Sequence, residues 1–386
     1  MMVLLFWLMA LVLFALATQM GQRLGLIPVV SQLLLATFGL PLLMVLWVEP
    51  QWQLNGAALV APEWLKHLYS VAFALLLGHI LGDVVELRMD RQALKIALPS
   101  FAVPFCAGLG CALTLLAPMP WLNALALGLV FAITAIPVLY LYLKHIGYPP
   151  AAMRRLLQAA IVIDLVCWSL FGLAQGSLNL DSLMLPLLGA AAPWLLHALR
   201  LHEARIYGAL FLLLLMLAEH FKLNALILGI GYLLNLAWLG LPLRLPLPAA
   251  VMNWLQGRVA IPLILTFGIV QIDVHSALHS LGWSTFALLV IVPVASKVLG
   301  NWLGLCWATP SFPGASRWRE SLLLNIRGLS EIVFLNLLLK QQLISPALYF
   351  ALMLMGLLAT LLPALAGLHR PLSLNAPTAR RPYAKP

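Results

Sequence analysis

Apolar runs of roughly 15–25 residues, each continuous rather than alternating, recur along almost the whole chain. The first reads MMVLLFWLMALVLFALATQ and the last LYFALMLMGLLATLLPALAGL. A bilayer core offers no water to backbone N–H and C=O groups, so a segment that crosses it must be helical or part of a closed barrel. Barrel strands alternate in hydropathy over about ten residues, and these runs do not. Composition agrees on one decisive point: 9% of the residues are charged and 63% hydrophobic, against about 25% charged in soluble domains. The expected fold class is therefore an all-α polytopic membrane protein, and the length is not to be divided into globular domains. The first run has no basic leader and no clear small-x-small cleavage site, so it is expected to span rather than to be removed.

We read thirteen spans, at about 3–20, 27–47, 66–82, 94–116, 121–143, 156–176, 183–199, 205–219, 223–240, 258–271, 281–307, 320–339 and 346–368. Of the 22 Lys and Arg, seventeen fall in the odd-numbered connections and the C-terminal tail, and three in the even-numbered ones. Lys297 and Arg327, the remaining two, lie within spans. Basic residues accumulate on the cytoplasmic side, so the N-terminus is expected outside and the C-terminus inside a bacterial inner (plasma) membrane. The net charge of +10 thus belongs to topology, and no nucleic-acid partner is expected. Residues 1–370 would form the transmembrane domain and 371–386 a disordered, basic cytoplasmic tail. That short tail speaks against built-in nucleotide regulation but not against a separate regulatory subunit. Cys106, Cys111, Cys167 and Cys306 all fall inside apolar runs without disulfide or zinc spacing, and buried free thiols are expected. No phosphate loop, HExxH or nucleophile elbow occurs. The connections are too short and too poor in paired acids or His for a catalytic site, so neither an enzyme nor a cofactor is expected.

A charge at a helix centre costs about 2.5–3.5 kcal/mol on insertion scales, so the ionisable residues inside spans need a partner, a cavity or a function. Asp164 lies midway in AAIVIDLVCW. On a helix it shares a side with Ala160, Cys167, Trp168 and Gly172, a small or weakly polar face suited to helices and water rather than acyl chains. Such a carboxyl can hold either a proton or a monovalent cation, or it can be a structural acid paired with a base. Lys297, in VASKVLGNWLG, neighbours Ser296, Gly300, Asn301 and Gly304 at helical spacing. It reads as a salt-bridge partner of Asp164, or as a charge competing with an ion there. Arg327 and Glu331, in NIRGLSE, are four apart and within ion-pair reach.

Two spans look interrupted. Pro137 lies deep in AITAIPVLYL, where it cannot donate to the Ile133 carbonyl and where Thr134 offers a hydroxyl beside the opened backbone. Asn325 and Gly328 interrupt the twelfth span. The breaks fall in the fifth span of each of two six-helix halves, repeat one at about 1–176 and repeat two at about 205–368, joined by a linking helix at about 183–199. Six helices plus a linker invert the second half, the pattern of transporters whose crossed half-helices make a midplane ion site.

At this point the residues resemble the monovalent cation:proton antiporter-2 family. GLIPVVSQLLLATFGLPLL is similar to its second span, AITAIPVLYLYLKHIG to its broken helix, QAAIVIDLVCW to its acidic span and ASKVLGNWLG to its lysine helix. The most specific match is WRESLLLNIRGLSEIVFLNLLLKQQLISP, with its N-x-R-G-x-x-E core. The resemblance implies a dimerisation domain and a mobile core, a homodimer, and exchange of Na⁺ or K⁺ for H⁺ by an elevator-like movement. It implies Asp164, with Thr134, as the cation/proton site, the monovalent cation being bound at Asp164. Pro137, Lys297, Asn301, Asn325, Arg327, Gly328 and Glu331 would support that core. The family carries Asp, Asn or Gln immediately before the matching Asp, whereas this chain has Ile163. One polar ligand is therefore absent, and one-for-one exchange is expected. Two other readings stay open: a same-fold transporter of an anion or organic solute, and a non-transporting sensor or assembly factor.

Overall fold

The computed structural model describes residues 2–24, 28–85, 91–116, 118–176, 184, 187–201, 203–221, 225–241, 243–245, 248–271, 281–309 and 313–368. Among them all regular structure is helical. The main helices are α1 (Met2–Arg23), α2 (Val30–Trp52), α3 (Glu63–Val85), α4 (Arg91–Thr114), α5 (Trp121–Ala132), α6 (Ile136–His145), α7 (Pro150–Gly176), α8 (Leu187–Ala198), α9 (Ala204–His220), α10 (Ala225–Trp238), α11 (Ala250–Ile269), α12 (Trp283–Ala308), α13 (Gly314–Leu324), α14 (Leu329–Lys340) and α15 (Pro346–Leu365). A one-turn helix, Gly56–Val60, stands between α2 and α3.

Among the described residues seven helices (α1, α2, α4, α7, α11, α12 and α15) are long and apolar enough to cross a bilayer. The chain is a multi-pass membrane protein. Its outward faces fit that solvent: Leu4, Leu5, Leu8, Val12, Leu16 and Met20 of α1 are each about half exposed or more, an apolar stripe that a water-soluble surface would not tolerate at this extent. The expected span at 183–199 lies partly, and the tail at 371–386 wholly, outside the described residues. The cysteine expectation is corrected in part. All four are free, but only Cys111 and Cys167 are buried, whereas Cys106 is exposed and Cys306 half-buried, with its sulfur accepting from Arg317 Nη1 at 3.2 Å.

Proline shapes the long helices in a regular way. α2 carries π-type turns at Leu35–Gly39 and Met44–Val48, and α11 one at Gln256–Ala260. Pro41, Pro50 and Pro262 each follow two residues after such a turn. The carbonyl four residues before each proline, which would clash with its ring and find no N–H, is the middle residue of the widened turn.

α4 and α12 pack side by side on a glycine seam. A Cβ on Gly300 would sit 2.6 Å from the Pro99 carbonyl oxygen, and one on Gly304 2.5 Å from that of Ile96. α4 meets α5 as closely, since a Cβ on Gly108 would lie 2.7 Å from the Gly128 Cα. Lipid supplies no hydrophobic drive between helices, so close backbone approach through small residues holds such contacts. α5, α6, α7, α12, α13, α14 and α15 gather around the two interruptions.

Candidate functional site

Both interruptions are present. α5 ends at Ala132, Ile133–Ala135 run extended, and α6 begins at Ile136. Pro137 sits in the first turn of α6, where its missing N–H has no intrahelical partner to lose. The surroundings of its side chain lie outside the described residues. In the second interruption, Asn325 caps α13 and Gly328 precedes α14 with φ +152° and ψ −120°, a conformation essentially reserved for glycine. The two extended pieces touch: the Ala135 amide donates to the Ile326 carbonyl at 3.3 Å.

The end of α5 leaves the carbonyls of Val130, Phe131 and Ala132 without intrahelical partners, and each is met by a cationic side chain, while the carbonyl before them keeps its helical bond. Leu129 O accepts from the Ile133 amide at 2.9 Å. Val130 O and Phe131 O accept from Arg327 Nη1 and Nη2 at 2.6 and 2.5 Å. Ala132 O accepts from Lys297 Nζ, which also donates to Ser100 O of α4 at 3.2 Å. Two buried cations, both 0% exposed, thus complement the negative end of this half-helix. Arg327 Nη1 also reaches Glu331 Oε1 at 3.1 Å, the i,i+4 pair expected from sequence. Its backbone is held from α15, where Thr360 Oγ1 accepts from Arg327 N at 3.3 Å and donates to Arg327 O at 2.7 Å.

Asp164 stands on α7 against both breaks and is 2% exposed. Oδ1 accepts from the Thr134 amide at 2.9 Å. Oδ2 makes no hydrogen bond, and the hydroxyls of Thr134 and Ser330, both buried, make none either. Ser330 Oγ lies beside the Asp164 carboxyl without closing hydrogen-bonding geometry. No Lys, Arg or His nitrogen of the described residues lies within 4.0 Å of Asp164; Lys297 and Arg327 act on it only through space. The salt-bridge reading of Lys297 is therefore replaced by helix capping. Ile163 is buried beside Asp164 and adds no polar atom.

Of the sequence candidates, Thr134, Asp164, Lys297, Arg327, Gly328 and Glu331 meet here. Asn301 lies further along α12, where Nδ2 donates to Ser321 O of α13 at 3.0 Å. Asn325 is buried, and both of its side-chain polar atoms are unpaired. Sequence reading missed Ser330 and Thr360, whose hydroxyls are inconspicuous in apolar runs. It also missed a buried ion pair. Arg155 Nη2 of α7 reaches Glu320 Oε1 and Oε2 of α13, both at 2.8 Å, and Tyr148 OH donates to Oε1 at 3.1 Å. The available signal was Glu320, a carboxylate opening the apolar run of WRESLLLN.

No protein-family model matches the chain. It is 25% identical over 345 residues, 81% of its length, to Cation/H(+) antiporter 18 of Arabidopsis thaliana, and it spans 42% of that relative's length. The sodium proton antiporter MjNhaP1 from Methanocaldococcus jannaschii, solved at pH 8, shares its fold with a TM-score of 0.59 at 16% identity, across 96% of this chain and 98% of that one. The chain thus has the fold of a sodium proton antiporter and is similar in sequence to a cation/H⁺ antiporter, a likeness at both levels to the monovalent cation:proton antiporters.

Proposed function

We propose that the chain exchanges a monovalent cation, Na⁺ or K⁺, for H⁺ across the membrane, with Asp164 as the site the two ligands share. One observation carries this reading. A buried carboxyl at the meeting of two helix breaks has a free oxygen and no counter-ion in contact, and two residues next to it, Thr134 through its amide and Ser330 through its side chain, carry unpaired hydroxyls. Leaving such a group unsatisfied is costly, and binding a proton or a cation removes the cost. With Asp164 as the one carboxyl free of a basic partner here, one charge is exchanged for one. An organic anion is less well served, because Lys297 and Arg327 are already engaged with helix carbonyls.

The wider arrangement follows from the same reading. The thirteen expected spans form two inverted repeats with one break each, and the block around the breaks moves in an elevator-like manner to expose Asp164 to either side. The basic-residue count supports an N-terminus outside, and a homodimer in a bacterial inner membrane is what the family resemblance implies. A cavity of about 610 Å³ between the start of α5 and the end of α14, lined in part by Asn123, Gln271 and Gln342, then serves as the outer vestibule. α14 runs roughly 15 Å inward from it at 1.5 Å per residue, toward Ser330 and Asp164.

Reconstituted vesicles test the proposal. An imposed Na⁺ or K⁺ gradient should move protons against a pH-sensitive dye, and Asp164→Asn should abolish the signal. Equal rates in that variant would refute the mechanism.

A further inference from the structure

We propose that Ser330 is a ligand of the transported cation and sets which monovalent cation is preferred. The inference rests on Asp164 being the exchange site, and it adds a residue that neither motif nor topology singles out. Ser330 is 0% exposed, stands in the first turn of α14, and directs an unpaired hydroxyl beside Asp164. Buried hydroxyls ordinarily find a partner. In the first turn of a helix the usual outlet is a neighbouring backbone group, yet Ser330 Oγ bonds to none.

Three unpaired oxygens therefore come from three separate pieces of chain: Asp164 Oδ2 from α7, Thr134 Oγ1 from the first break and Ser330 Oγ from just beyond the second. Hard oxygen donors of this kind suit alkali cations. One carboxylate with two neutral hydroxyls balances a single positive charge. A divalent ion draws on more carboxylates, and among the described residues no group of three His, Cys, Asp or Glu side chains is placed to hold a metal. Asp164 supplies the charge that any monovalent cation needs. The two hydroxyls supply the distances that separate one cation from another. Their origin on opposite breaks, which touch through the Ala135 amide and the Ile326 carbonyl, means that a shared site of this kind depends on the two interrupted helices keeping their present register.

The test uses the full chain in proteoliposomes and measures KM and maximal rate for Li⁺, Na⁺, K⁺ and Rb⁺. Ser330→Ala should raise KM for the preferred cation about tenfold, equivalent to 1.4 kcal/mol, and compress the ranking among cations. Ser330→Thr keeps the hydroxyl and should keep the ranking. Ser330→Cys keeps the shape but offers soft sulfur, so it should weaken Na⁺ and K⁺ while favouring Tl⁺ relative to them. An unchanged ranking in Ser330→Ala and Ser330→Cys overturns the proposal. So does an equal scaling of all cations, which would make Ser330 a positioning residue. Residual exchange in Asp164→Asn would sink the underlying site instead, whatever Ser330 does.

Discussion

Lys297 donates to the carbonyl of Ala132, the last residue of a half-helix, and not to Asp164. The buried acid and the buried base thus make no direct pair. Removing the ammonium leaves a buried carbonyl unpaired, which costs about 1–3 kcal/mol. Lys297→Met should therefore lower the thermal unfolding midpoint of the detergent-solubilised protein. The effect should be similar in the wild-type and Asp164→Asn backgrounds. A double-mutant coupling of several kcal/mol would mean that the two side chains pair directly after all.

Arg327 holds two carbonyls of α5 and one oxygen of Glu331 through a single planar fork. A lysine ammonium cannot match that geometry. Arg327→Gln strands Glu331 in the interior, and breaking such a pair costs about 3–5 kcal/mol. The expected result is poor yield of folded protein by size-exclusion chromatography, with Arg327→Lys only partly better. Normal yield and unfolding temperature for Arg327→Gln would contradict the capping role.

Gly328 combines its positive φ with tight surroundings, since a Cβ there would come within 2.8 Å of Val138 Cγ2. A non-glycine residue in this backbone region costs about 1–3 kcal/mol. Gly328→Ala should accordingly be less stable in the same unfolding assay, and a variant as stable as wild type would show that the break relaxes freely.

The Arg155–Glu320–Tyr148 cluster ties the Asp164-bearing helix to the second broken helix on the side where the basic connections gather. Tyr148 lies in the connection between α6 and α7, where burial first, and the neighbouring Glu320 second, push its hydroxyl above the usual tyrosine range. The protonated phenol is the form the fold favours. Its contribution is therefore complete below the ordinary tyrosine value of about 10 and declines as pH rises beyond it. Stability of the wild type should fall more steeply between pH 10 and 11 than that of Tyr148→Phe, as read from unfolding temperatures. Parallel curves would exclude the linkage.

Much of the fold was legible because bilayer thickness and backbone satisfaction leave few choices, and the helices occupy the segments that hydropathy marks. The interruptions were legible from Pro137, Asn325 and Gly328, since each opposes helix continuation by a local mechanism. Asp164 stood out because a carboxyl in an apolar run needs a reason. What could not be read was the neighbour. Helical spacing fixes which residues share a face on one helix, but not which carbonyl faces Lys297. Ser330 escaped for the same reason, because its meaning lies in Asp164, 166 positions away in the sequence.

The glycine seam between α4 and α12 limits how this protein can work. Where Ile96 and Pro99 press their carbonyl oxygens against Gly304 and Gly300, neither helix can slip lengthwise past the other without atoms colliding. Lys297 fastens the same seam to the stub of α5. Under the proposed elevator-like exchange these three pieces would therefore travel together, and the sliding surface has to be sought elsewhere.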